Sequence, residues 1–141
     1  MRRRAGGAPR PRGTGRPRRD RRAIRRGGEG IGGELNRVIS DWPDARITPM
    51  FGRWGYFVGE TLFACFPLQE KERDLWLRLS PADQARALRD ARIRPHRRFA
   101  RRGWIELDIE APDDIGRALH WLGRAHATAT RTVHPNEDRE A

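Results

Sequence analysis

The chain has 141 residues, one domain's worth of material, with a formal net charge of +11. Residues 1–26 carry twelve arginines against Asp20 alone, so the excess charge belongs to the leader, and residues 27–141 are formally neutral with 18 basic and 18 acidic side chains. A lone cysteine, Cys65, excludes an intramolecular disulfide and fits a reducing, cytoplasmic setting. No apolar run is long enough to span a bilayer or to form the core of a secretory signal, so no membrane partner is expected.

In chain order, residues 1–33 are Arg, Gly and Pro, ending in Gly27-Gly28-Glu29-Gly30-Ile31-Gly32-Gly33. All eleven aromatic rings lie after residue 40, and Ile24 is the one large aliphatic side chain before the hinge glycines. Such a segment cannot bury enough apolar surface to offset its ordering entropy, which predicts a disordered basic arm and hinge. Ordered structure is expected to begin at Glu34, where Leu35, Val38, Ile39 and Trp42 share one helix face and Pro43 ends the helix. Three short apolar segments follow, Ile47–Phe51, Trp54–Val58 and Leu62–Phe66, with bends at Gly52 and Gly59 and a hairpin connection at Val58-Gly59-Glu60-Thr61.

Asp74–Leu79 reads as a strand, with Leu75, Leu77 and Leu79 on one face and Trp76 and Arg78 on the other. Ser80-Pro81-Ala82-Asp83 has the chemistry of a helix start: a capping hydroxyl, a proline at the first helical position and an acid for the dipole. That helix is expected to reach about Ala91, and Arg92–Arg102 to be a basic connection. Trp104–Glu110 reads as a strand with Ile105, Leu107 and Ile109 inward and Glu106, Asp108 and Glu110 outward in solvent. Pro112-Asp113-Asp114 opens a last helix, whose apolar face is Ile115, Ala118, Leu119, Leu122 and Ala125; residues 131–141 are expected to fray. The order α-β-β-β-β-α-β-α favours an α+β fold, a small antiparallel sheet with helices on one side over residues 34–130.

These residues resemble a known family. Met50-Phe51-Gly52, the Tyr56-Phe57-Val58-Gly59 hairpin and Leu75-Trp76-Leu77-Arg78 before the Ser/Pro/Asp helix start are similar to the N-terminal domain of the TfoX/Sxy family. Ala91-Arg92-Ile93-Arg94-Pro95, Arg102-Gly103-Trp104-Ile105-Glu106-Leu107-Asp108 and a final helix with Trp121 extend the likeness, and the MmcQ/YjbR proteins resemble the chain more distantly. The resemblance implies an α+β domain without established catalytic activity, in a family whose full-length members regulate DNA-uptake competence and carry a second, C-terminal domain. The arginine-rich arm is not part of the family pattern.

Among groups that carry chemistry, Gly28-x-Gly30-x-x-Gly33 matches a dinucleotide fingerprint by letter, but it follows an arginine tail rather than a strand, so a hinge is the better reading. His96, His120, His126 and His134 do not have the spacing of a ligand set, and Cys65 has no base partner in sequence. Glu106, Asp108 and Glu110 could serve a metal or acid–base chemistry, though a solvated face paired with arginine is the commoner outcome. No catalytic, cofactor-binding or metal-ligating residue is assigned. Arg86, Arg89, Arg92, Arg94, Arg97, Arg98, Arg101 and Arg102, with Asp90 alone among them in sequence, form the candidate anion or nucleic-acid patch. Trp54, Tyr56, Trp76 and Trp104 with Arg78 are expected to line one sheet face, either an open partner face or core.

The arm should attract nucleic acid through residues 1–26 by counterion release, and non-specifically, since it has no aromatic ring for stacking; the competing reading is a tail without a role. Three functional expectations follow. The first is a non-enzymatic regulatory or adaptor domain of TfoX-like type, linked to transcription or DNA-uptake competence and acting through a protein partner. The second is a nucleic-acid-associated protein. The third is a metal-dependent enzyme using the acidic strand face.

Overall fold

The computed structural model describes residues 30–69 and 71–135; the expected arm at 1–26, Gly28 of the glycine fingerprint and residues 136–141 of the expected frayed end lie outside the described residues. The chain divides into two compact units, residues 1–38 and 39–141. The described part of the first, residues 30–38, is helical and belongs to helix α1 (Gly30–Ile39). It starts four residues before the expected Glu34, because Ile31 stands one turn before Leu35 and carries the apolar stripe backward through Gly32 and Gly33.

The second unit is a six-stranded sheet with helices. Its strands are β1 (Ala45–Met50), β2 (Arg53–Val58), β3 (Thr61–Pro67), β4 (Asp74–Arg78), β5 (Ile93–Pro95) and β6 (Trp104–Asp108). They lie in the order β1-β2-β3-β4-β6-β5, and every neighbouring pair is antiparallel. Helix α2 (Pro81–Ala87) sits between β4 and β5 in the chain, a 3₁₀ turn (Ala100–Arg102) precedes β6, and helix α3 (Pro112–Val133) follows it. The fold is α+β, as the sequence predicts.

Turn chemistry explains the hairpins. Phe51 and Gly52 join β1 to β2 with φ of 48° and 78°, the two positive values of a type I′ turn. Between Tyr56↔Ala64 and Phe57↔Leu62, one step along β2 matches two along β3, so β3 carries a bulge at Phe63. The bulge turns Phe63 toward α3, where it meets His126 edge-on at 5.5 Å. Along α3, Ala118, Leu122, Ala125 and Ala129 are buried and pack over β2, β3 and β4. Tyr56, Leu75, Leu77, Ile105 and Leu107 are buried within the same unit.

Helix α2 starts as expected: Ser80 Oγ accepts from Asp83 N at 3.2 Å. It ends at Ala87 rather than Ala91, because the chain turns at Asp90 to enter β5; Asp90 Oδ1 accepts from Arg92 N at 2.9 Å and Asp90 O from Ile93 N at 2.9 Å. The stretch 92–102, expected as plain connection, therefore contains an edge strand and the 3₁₀ turn. Helix α3 begins at Pro112 as expected. Ala111 has no side-chain acceptor, and Asp114 Oδ2 instead accepts from Glu110 N (2.8 Å) and Ala111 N (3.0 Å). The helix runs to Val133, three residues past the expected fray point.

Candidate functional site

Strand register corrects the aromatic face. Tyr56 pairs with Ala64, Ala64 with Leu77, and Leu77 with Ile105, so Trp54 and Tyr56 lie on the face that α3 covers. Gly55 pairs with Cys65, Cys65 with Trp76, Trp76 with Glu106, and Glu106 with Arg94. Trp76, Arg78 and Trp104 therefore share the opposite face with Arg53, Cys65 and Glu106. Alternation fixes faces within a strand, but only pairing fixes them between strands.

On that second face the side chains build a stack. The Arg53 guanidinium lies 3.8 Å from the Trp76 ring centroid, its Nε donates to Cys65 Sγ at 3.1 Å, and Trp76 Nε1 donates to Asp74 Oδ2 at 2.9 Å. His96 meets Trp76 edge-on at 4.4 Å and stacks on Phe99 at 5.1 Å with 29° between the ring planes. The series Arg53–Trp76–His96–Phe99 thus runs from the sheet to the surface, where Phe99 is 43% exposed. Cys65 is buried, as expected, and burial pushes its thiol up against the opposing pull of Arg53.

The loop that carries Phe99 is pinned from beneath. His96 Nδ1 accepts from Arg98 N (3.0 Å) and Phe99 N (3.1 Å), while Phe99 O accepts from Arg102 N (2.9 Å) and Trp104 N (3.3 Å). Because Nδ1 accepts twice, the neutral ring carries its proton on Nε2. That atom is buried 4.0 Å from Glu106 Oε2 and has no hydrogen-bond partner among the described residues.

Glu106 is 1% exposed, which corrects the expectation of an outward, solvated carboxylate; the 96–103 loop folds across its strand face. The expected pairing with arginine does hold. Glu106 accepts from Arg94 Nη2 (3.0 Å), Arg97 N (3.1 Å) and Arg97 Nε (3.3 Å), and Arg94 also reaches Asp108 at 3.2 Å. Burial pulls the Glu106 carboxyl up, but the Arg97 and Arg94 bonds and charges outweigh it and hold it below the usual range. Glu106 and Asp108 are thus neutralised by Arg94 and Arg97, while Glu110 is exposed past the end of β6 and makes no ion pair among the described residues.

The eight-arginine patch divides. Arg86 and Arg124 clamp the buried Asp83, Arg92 lies 3.7 Å from Asp90, and Arg94 and Arg97 hold Glu106. Those four patch members are structural ion pairs. Arg89, Arg98, Arg101 and Arg102 are exposed and make no ion pair among the described residues. Three of them flank Phe99 in the run Arg97-Arg98-Phe99-Ala100-Arg101-Arg102, and exposed Arg78 reaches the same loop by donating to Arg102 O at 3.1 Å. Neither Arg53 nor Phe99 stands out in the sequence, and His96 enters there only as one of four scattered histidines; the one available signal is an aromatic residue centred in a basic run.

The histidine makes the loop sensitive to acid. Burial holds His96 below the ordinary imidazole range, against the pull of Glu106, and protonation at Nδ1 would remove the acceptor for two backbone amides. With the folded value depressed, the unfolded chain takes up the proton first, so this contribution is present above about pH 6.5 and is lost as pH falls from there. A urea midpoint followed from neutral to about pH 5 should fall in this chain and stay flatter in His96→Asn, whose Oδ1 can accept the same amides. Equal pH dependence in both proteins would show that His96 does not anchor the loop.

Among the described residues no helix is long and apolar enough to cross a membrane. No family model matches the sequence, and no curated protein matches it. Among solved structures, the chain is similar to a Deinococcus radiodurans protein with a DUF419 domain, at 16% identity and a TM-score of 0.44, over 53% of this chain and 60% of that one.

Proposed function

We propose that this chain is a non-enzymatic nucleic-acid-associated domain that contacts its partner through the Arg97–Arg102 loop, with the arginine-rich leader adding affinity. The observation that carries this reading is the exposed Phe99 ring, seated on His96 and flanked by Arg98, Arg101 and Arg102 without carboxylate partners among the described residues. Guanidinium groups around an aromatic ring match the phosphates and bases of a polynucleotide. The neutralised Glu106 removes the main local charge that would repel one.

A regulatory or adaptor role of TfoX type, acting through a protein partner, is the second reading, and Phe51 favours it. This ring is 95% exposed at the β1–β2 turn, with a positive φ that costs an aromatic residue strain. Leu68, also exposed, is tied to the same turn by its N–H donating to Gly52 O at 3.0 Å. Together they present apolar surface that does nothing visible for the fold.

One experiment separates the two. The full chain should bind a short oligonucleotide, and affinity should fall by roughly 10³-fold between about 50 and 200 mM salt. A nuclease-treated pull-down should then lose its captured material. Salt-insensitive binding, or none at low salt, overturns the nucleic-acid reading, and capture of a protein that survives nuclease but is lost in Phe51→Asn supports the second.

A further inference from the structure

We infer that the Phe99 platform selects single-stranded over duplex nucleic acid, taking one unpaired base on the outer face of its ring; this rests on the nucleic-acid reading above and names the substrate class of that site. The Phe99 ring stacks on His96 at 5.1 Å, His96 meets the Trp76 ring edge-on at 4.4 Å, and the Arg53 guanidinium lies 3.8 Å from the Trp76 centroid, so the platform is braced back to the sheet. His96 covers one side of the Phe99 ring, and the ring remains 43% exposed. A base placed there extends the His96–Phe99 stack by one ring, and every base has the π face this needs.

The platform is already assembled in the free chain. Backbone bonds fix Phe99 at both its N–H and its carbonyl, so little ordering remains for binding to demand. Arg98, Arg101 and Arg102 flank the ring within three residues of it, and Arg78 is attached at the loop's far end. Exposed cations this near in the chain are available to the phosphates on either side of a stacked nucleotide. In a duplex the bases are stacked on one another, and reaching Phe99 would require unpairing one of them. The ring therefore adds nothing for duplex, while the arginines attract both forms through their phosphates.

The test titrates the full chain with oligothymidylate, oligouridylate and a duplex of the same length. The wild-type chain should prefer both single strands over duplex. Phe99→Ala should weaken single-strand binding about tenfold and leave duplex binding unchanged, and Phe99→Trp should restore the preference. Retained melting temperature in both variants shows that the loop still folds. If wild type binds duplex as tightly as single strands, or if Phe99→Ala weakens both equally or neither, the single-strand inference falls while the nucleic-acid reading stands. If the wild-type chain binds none of the three at low salt, both fall together. Preference in the thymidylate arm alone or the uridylate arm alone would assign the platform to DNA or to RNA.

Discussion

Gly103→Ala should be the most damaging small substitution in the chain, lowering stability by about 3 kcal/mol or more and Tm by roughly 12 °C. Gly103 ends the 3₁₀ turn with φ of 96°, a conformation L side chains rarely adopt. A Cβ there would stand 2.3 Å from the Leu79 carbonyl oxygen, a backbone atom that cannot swing aside. Its own carbonyl accepts from Leu79 N at 2.9 Å, so relieving the clash would break the bond that joins the loop to the end of β4. Gly116→Ala and Gly123→Ala in α3 supply the control. Nothing lies within 4 Å of either added Cβ, and alanine in a helix interior should raise stability by about 0.5–1 kcal/mol. Thermal melts of the three variants should therefore differ in sign. A neutral Gly103→Ala would mean that the loop does not hold this conformation.

Glu106→Ala should be the second large effect, about 2–3 kcal/mol by urea unfolding. The carboxylate is 1% exposed and binds two guanidinium groups and the Arg97 amide. Its loss leaves that amide without its acceptor and brings Arg94 and Arg97 together with no charge between them. The cost stays below that of stranding a fully buried ion, because the Arg94 and Arg97 side chains are 43% and 67% exposed and can rehydrate. Glu106→Gln keeps the volume and one acceptor oxygen and should cost about 1 kcal/mol. An alanine variant no worse than the glutamine one would show that the volume and acceptor oxygen kept by glutamine contribute nothing, and a glutamine variant as stable as the native chain would show the same of the charge and second oxygen.

Much of the fold was legible because local chemistry and tertiary structure agree. Leu75, Leu77 and Leu79 alternate with Trp76 and Arg78, and the structure buries the first three while Arg78 stays exposed. Ser80, Pro81 and Asp83 mark a helix start, and Ser80 does cap it. What the sequence hides is everything that depends on pairing between distant segments. Ile93–Pro95 is too short to show a period, and it is a strand only because β6 lies beside it. The same dependence explains why Trp54 and Tyr56 were grouped with Trp76. Asp83 looked like a dipole partner at a helix start and is instead the buried centre of a bridge from α2 to Arg124 of α3.

The candidate site was half legible for the same reason. Composition singled out the arginines, but which of them carry free charge depends on where Asp83, Glu106 and Asp108 sit in space. Phe99 gave only a weak signal, one ring among five nearby arginines, until its backbone anchors on His96 and its stacking partner were in view.

The proposed contact element is the preformed Arg97–Arg102 loop. An amide chemical-shift titration of the full chain with oligothymidylate tests it most directly. Within residues 39–135, the largest shifts should fall on Arg98, Phe99, Arg101 and Arg102, with the Trp76 and Trp104 indole signals following. Shifts that spare this loop and gather on α3 or the Phe51 turn would contradict it.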